Sequence, residues 1–277
     1  MTPLSQLPSA WDPAPLVLAA AAIVALRFAY AFRRLRLRGR TDHAGWDRAA
    51  LFAAGLTCLT LPLVSPLDVA GDDYLLSAHM LQHVLIGDAG PALLLVAVRG
   101  PLLAFMLPAA AIRFVFRSSV LHAVLAWLTR PLVSLGVWAA AIGGWHVPAV
   151  YDAALSHPLL HDAEHACFVG AGMLIWVQLI DPARSGRLSV ARRAAFAGGV
   201  FLLGQVLSDA LFLVSSPLYP AYAHHTVRLF GIAPMADQQY AGLIMMAEQL
   251  LTLGTCIGLL GASLLRPARR PGRLAAT

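Results

Sequence analysis

Two pairs of histidines have the spacing of a chelate. His79 and His83 are four residues apart, and so are His161 and His165; on a helix that step stacks both rings on one face, about one turn apart. One pair holds an ion loosely, whereas two pairs from two helices supply four imidazole nitrogens, a complete shell for a tetrahedral metal. His146, between Trp145 and Pro148, and His157, before Pro158, are further candidates. Imidazole accepts copper, zinc, iron and nickel, and two facing pairs also suit a haem. Met80 beside His79, with Met245 and Met246 near the end of the chain, favours copper, because thioethers suit cuprous ion better than zinc. His224 and His225 follow Tyr219, Pro220 and Tyr222 and read as a solvated interfacial loop.

Carboxyl groups form the second set. Asp88, Asp209 and Glu248 lie inside apolar stretches, and Asp237 opens the last one as Asp-Gln-Gln, where it would serve as a helix cap. Buried carboxylates are expensive unless protonated, paired or set beside a cavity. We expect these residues, with Met245, to support the imidazoles from behind or to line an ion path. Residues 161 to 165 read His-Asp-Ala-Glu-His, the inverted zincin pattern, in which Glu164 would activate a zinc-bound water. Glu164 capping the first turn of its helix, or facing solvent, is the competing reading. Cys58, Cys167 and Cys256 stand singly and support neither a disulfide framework nor a thiolate metal site.

Long apolar runs must position these groups. Of the 277 residues 59% are apolar and 12% charged, against about 25% charged in an average soluble domain, which excludes an ordinary water-soluble globule. Runs at about 14–32, 48–66, 78–98, 131–150, 160–180, 192–216 and 239–265 each approach the ~20 residues that cross a bilayer as helix. The expected fold is an all-α polytopic membrane protein, one transmembrane domain over 1–277 with seven spans. Segment 101–128 carries Arg113 and Arg117 between two short apolar stretches and reads as amphipathic helices on the cytoplasmic surface.

Arginine placement orients the spans. All 20 basic residues are Arg; eighteen lie in 33–48, 99–130, 181–193 and the tail 266–277, whereas the alternate loops hold only Arg228. Arg27, inside the first run, snorkels to the same side. Basic loops stay in the cytoplasm, so the N-terminus is expected outside and the C-terminus inside. The first run has its arginines after it and none before it, the reverse of a cleavable signal peptide. Loop arginines also account for the net charge of +6 without a nucleic-acid partner. On this topology eight of the ten histidines fall on the outer side, leaving His43 and His122 inside.

Three strings carry a resemblance: HMLQHVLIGDAGPALLLV from His79, WHVPAVYDAALSHPLLHDAEHACF from Trp145 and ADQQYAGLIMM from Ala236. Over about residues 48 to 265 the chain resembles the CtaG family, membrane proteins needed to assemble caa-type cytochrome c oxidases in bacteria. The resemblance implies seven spans and a part in supplying or inserting the oxidase's copper. It makes His79, His83, His146, His157, His161 and His165 the histidine signature, with Asp237, Gln238 and Gln239 marking the last span. Met246 departs from the aromatic residue expected there.

Three functions follow as expectations. The first is a non-enzymatic copper chaperone for oxidase assembly in the bacterial inner membrane, its outer-face histidines taking copper, ahead of zinc or haem, from extracytoplasmic chaperones and giving it to oxidase subunits. The second is a seven-span zinc-dependent membrane hydrolase using His161, Glu164 and His165. The third is a cation transporter through Asp88, Asp209 and Glu248, which no repeat or broken-helix pair supports.

Overall fold

A computed structural model describes residues 4–265, so the four arginines of the tail 266–277 lie outside the described residues. In chain order the α-helices of six or more residues are α1 (Pro15–Leu37), α2 (Trp46–Val64), α3 (Pro66–Asp73), α4 (Leu76–Ala97), α5 (Pro101–Met106), α6 (Ala109–Arg117), α7 (Ser119–Leu128), α8 (Pro131–Trp145), α9 (Pro148–Ser156), α10 (Pro158–Ile180), α11 (Val190–Leu213) and α12 (Pro234–Leu265). Seven of these open on a proline, whose fixed φ and missing N–H suit the first helical position.

Among the described residues, six helices are long and apolar enough to cross a membrane: α1, the run Thr41–Val64 that contains α2, α4, α10, α11 and α12. Two bent pairs, α6 with α7 at 96° and α8 with α9 at 74°, raise the number to eight if each is one broken span. The fourth apolar run, expected to be continuous over 131–150, is broken. Pro148 disfavours helical backbone at the residue before it, and Val147 is extended at φ −64°, ψ 123°. Neither α6 nor α7 has a buried residue; Phe114, Phe116 and Val120 are exposed.

The helices that carry the histidine pairs are the inner ones. About half of α4 and α10 is buried, 56% and 50%, against 28% or less for the other four long helices. α4 packs on α2, α10 and α12. It meets α10 where a Cβ on Gly172 would lie 1.8 Å from the carbonyl oxygen of Gly87, so only glycine lets the backbones touch there. Below that contact lies the main apolar core, which includes Leu94, Leu95, Ile175 and Leu179. Two π turns interrupt the winding, Leu85–Ala89 in α4 and Leu250–Gly254 in α12, each a widened turn of the kind frequent at functional sites.

Arginines gather at the end of the bundle away from the histidine pairs. Arg27 donates to the Met106 carbonyl at 2.8 Å, Arg48 to that of Arg99 at 2.7 Å and Arg193 to that of Leu179 at 3.1 Å. Each satisfies a carbonyl at or just beyond a helix C-terminus, the end that attracts cations.

Candidate metal centre

The first turn of α4 begins at Leu75, which has no side chain able to cap it. Asp237 supplies the cap from another helix: its carboxylate accepts the N–H of Leu76 at 2.7 Å, the N–H of Ser77 at 3.1 Å and the Ser77 hydroxyl. A carboxylate at a helix N-terminus satisfies orphan donors and opposes the positive end of the dipole. Asp237 thus caps α4, the helix of His79, and not the start of its own helix, where the sequence placed its capping role. Its neighbour Gln238 accepts from Leu218 N–H at 2.6 Å and donates to the Leu211 carbonyl at 3.2 Å, tying α12 to the end of α11.

With α4 so held and α10 pressed against it at Gly172, the two pairs converge. His79, His83, His161 and His165 each offer a nitrogen, and these nitrogens lie within 4.8 Å of one another. His79 Nε2 and His83 Nε2 are 2.7 Å apart, and the ring centroids of His79 and His161 are 5.2 Å apart. Nitrogens bound ~2.1 Å from one ion stand at most ~4.2 Å apart. Side-chain movements of under ~1 Å would therefore close the group on an ion. His161 Nε2 and His165 Nε2 are buried without a hydrogen-bond partner, a costly state that a ligated ion would relieve. Four imidazoles fit zinc and copper equally.

Neighbours fix the rings. The Tyr222 hydroxyl donates to the Gly71 carbonyl at 2.7 Å, and having one proton it accepts from His79 Nδ1 at 3.0 Å. That leaves His79 Nε2 free of a proton and turned to the centre, the usual arrangement for a ligand histidine. Tyr151 packs on His79 at 5.2 Å. The Asp72 carboxylate bridges two of the four histidines, 3.7 Å from His79 Nδ1 and 3.6 Å from His161 Nδ1. Burial pushes the Asp72 carboxyl up to about 8, with repulsion from Asp68 and Asp73 adding to it; a cation beside it would draw it back down. Burial likewise raises Asp68 to about 6, against the Gln82 hydrogen bond, which lowers it.

Glu164 neither caps its helix nor faces solvent. It is 1% exposed, its Oε1 lies 4.0 Å from His83 Nε2, and neither oxygen has a hydrogen-bond partner. His146 and His157 lie outside the group of four. His146 is buried and directs Nε2 at Met80 Sδ, 3.4 Å away, while His157 is exposed and bonds to the Ala153 carbonyl within its own turn. His224 is exposed and His225 half-buried, the latter against Tyr222. Asp88 accepts from Trp176 Nε1 and from Thr252 Oγ1, the latter at 2.8 Å, and shares a side-chain hydrogen bond with Glu248. Two carboxyl groups so joined hold a proton between them. Asp209 bonds only to Gln205 one turn back, at 2.8 Å, and is half-buried. Met245 is buried and Met246 half-buried.

A profile of the cytochrome c oxidase caa3 assembly factor (Caa3_CtaG) family matches residues 26–267. The chain belongs to this family. The match takes in the four converging histidines together with Asp72, Glu164, Tyr222 and Asp237, so the whole centre lies within the part shared with the caa3 assembly factors. Comparison with curated proteins gives no match, and comparison with solved structures gives none. Sequence reasoning missed Asp72, Tyr151 and Tyr222 beside the histidines, and Gln82, which holds Asp68 behind them. Gln82 and Tyr151, both inside strings that carry the resemblance, were the two with a signal.

Proposed function

We propose that this caa3 assembly factor binds copper at the histidine tetrad on the outer side of the bacterial inner membrane and passes it to a subunit of the oxidase. The observation that carries the reading is the convergence of His79, His83, His161 and His165 within 4.8 Å. An exchangeable ion needs ligands and a way out, not a reaction, and a tetrad of neutral imidazoles near helix starts supplies ligands without locking the ion in a thiolate cage. Counting α8 and α9 as one bent span and leaving α6 and α7 on the surface makes seven spans. The loop arginines then put the N-terminus and the tetrad outside, where extracytoplasmic chaperones would deliver copper.

One observation favours a second reading. Glu164 is buried beside His83 with both oxygens unpartnered, which is where a general base for a zinc-bound water would stand. The zinc hydrolase is tested against the assembly factor by comparing His161→Ala/His165→Ala with Glu164→Gln. Membranes of each host are assayed for oxidase activity and for copper in the purified oxidase. The assembly reading expects a copper-poor, inactive oxidase in the histidine variant and a near-normal one with Glu164→Gln. Full oxidase activity in the histidine variant, or its loss with copper retained in Glu164→Gln, would favour the hydrolase.

A further inference from the structure

A cavity of about 70 Å³ lies below the tetrad, between α4, α8, α10, α11 and α12, and its lining includes Met80, His83, His146, Met245, Asp88 and Glu248. Its lining thus includes two thioethers and two imidazoles. His146 Nδ1 is engaged by the Ile142 carbonyl at 2.8 Å, so its other nitrogen, Nε2, is the one beside Met80 Sδ at 3.4 Å. His83 has a nitrogen for each side: Nε2 is shared with His79 in the tetrad, while Nδ1, on a side chain 5% exposed, has no hydrogen-bond partner at all. Phe168 lies against both rings, its centroid 4.5 Å from His83 and 6.0 Å from His146. His83 lines the same cavity as Met80 and Met245 and carries this buried, unpartnered nitrogen, a costly state that a bound cation would relieve.

We infer that Met80, His146, Met245 and His83 Nδ1 form a second, inner site selective for a soft monovalent cation, cuprous ion, distinct from the all-nitrogen tetrad above it. Neutral thioether sulfur favours Cu(I) over borderline zinc and disfavours hard cations. Asp88 and Glu248 line the same cavity and add carboxyl oxygens to it, which would help to offset the cost of a cation there. Glu248 Oε1 and Gln249 Oε1 are two buried oxygens without partners in that lining. His83, with one nitrogen toward each site, joins the two. The inference rests on the copper reading of the tetrad, and it adds an inward step to it: an ion received by four nitrogens would pass to a site lined by sulfur.

The test titrates the purified full chain in detergent with cuprous ion, presented anaerobically as its bicinchoninate complex, and reads ligands by copper-edge X-ray absorption. Expected are two cuprous ions per chain with sulfur scattering, falling to one ion without sulfur in Met80→Leu/Met245→Leu. In His161→Ala/His165→Ala the sulfur-bound ion should remain. Nitrogen scattering alone in the wild-type protein, or a sulfur signal unchanged in the double Met variant, would overturn the inner site. A wild-type protein that binds one sulfur-ligated ion, unchanged in His161→Ala/His165→Ala, would instead sink the tetrad and leave the inner site standing. Selenomethionine-labelled wild-type protein read at the selenium edge makes the same measurement without a substitution, and absence of a copper neighbour to selenium would again overturn the proposal.

Discussion

Gly172 stands so close to Gly87 that a Cβ on it would fall 1.8 Å from the Gly87 carbonyl oxygen. This backbone contact is what brings the two His-x-x-x-His faces together, one helix turn and two turns from the nearest ligands. Gly172→Ala should force α4 and α10 apart, lowering stability by about 1–3 kcal/mol as overpacking does, and it should lose tetrad metal even where the protein still folds. Gly170 shares the helix but has nothing within 4 Å of its Cβ position, so Gly170→Ala should leave both properties intact. Metal stoichiometry and thermal midpoint in detergent check the pair.

Asp237 holds the first turn of α4 from outside that helix. Asp237→Ala should cost about 0.5–2 kcal/mol for the lost cap and loosen His79, so that metal affinity falls while stoichiometry holds. Asp237→Asn, which keeps acceptor oxygen but not charge, should fall between the two. Equal affinity in all three proteins, by competition with a metallochromic indicator, would remove Asp237 from the centre.

Asp72 touches His79 and His161 at their far nitrogens. Loss of such an outer partner costs roughly 10–100-fold in metal affinity, and Asp72→Asn is expected in that range. His157→Ala, at an exposed side chain bonded within its own turn, should leave affinity unchanged. A matching loss at His157 would mean that the ligand set had been drawn too small.

Reporter fusions test the sidedness on which copper supply depends. Fusions after Arg40, Asp73 and Arg187 should read inside, outside and inside. A cytoplasmic reading after Asp73 would put the tetrad on the wrong face for copper arriving from outside.

The histidine pairs were legible because an i, i+4 step means the same thing on any helix, and the spans because apolar runs in a low-charge chain have one solvent that suits them. Convergence was not legible. Gly87 and Gly172 are two of 22 glycines, and nothing local separates a glycine that touches a helix from Gly170, which touches nothing. Asp72 and Tyr222 lie in connections between spans, where folding back over the ligands is a tertiary event with no periodicity to announce it. The break of the fourth run was written in Val147-Pro148, but its apolar composition outweighed the proline. Glu164 shows the limit most plainly: a carboxylate near a helix start normally faces water, and the packing of α4 on α10 turns this one inward.

The wide turn at Leu85–Ala89 is in effect an insertion of one residue that left its helix continuous. Were the same residues wound as plain α-helix instead, one half of α4 would turn by about 100° against the other, the rotation of one residue. His79 and His83 would swing off α10, while Leu94 and Leu95 kept their buried seats in the core. The span thus answers to two phases, one set by the apolar core and one by the histidines, and the wide turn is what lets a single helix meet both.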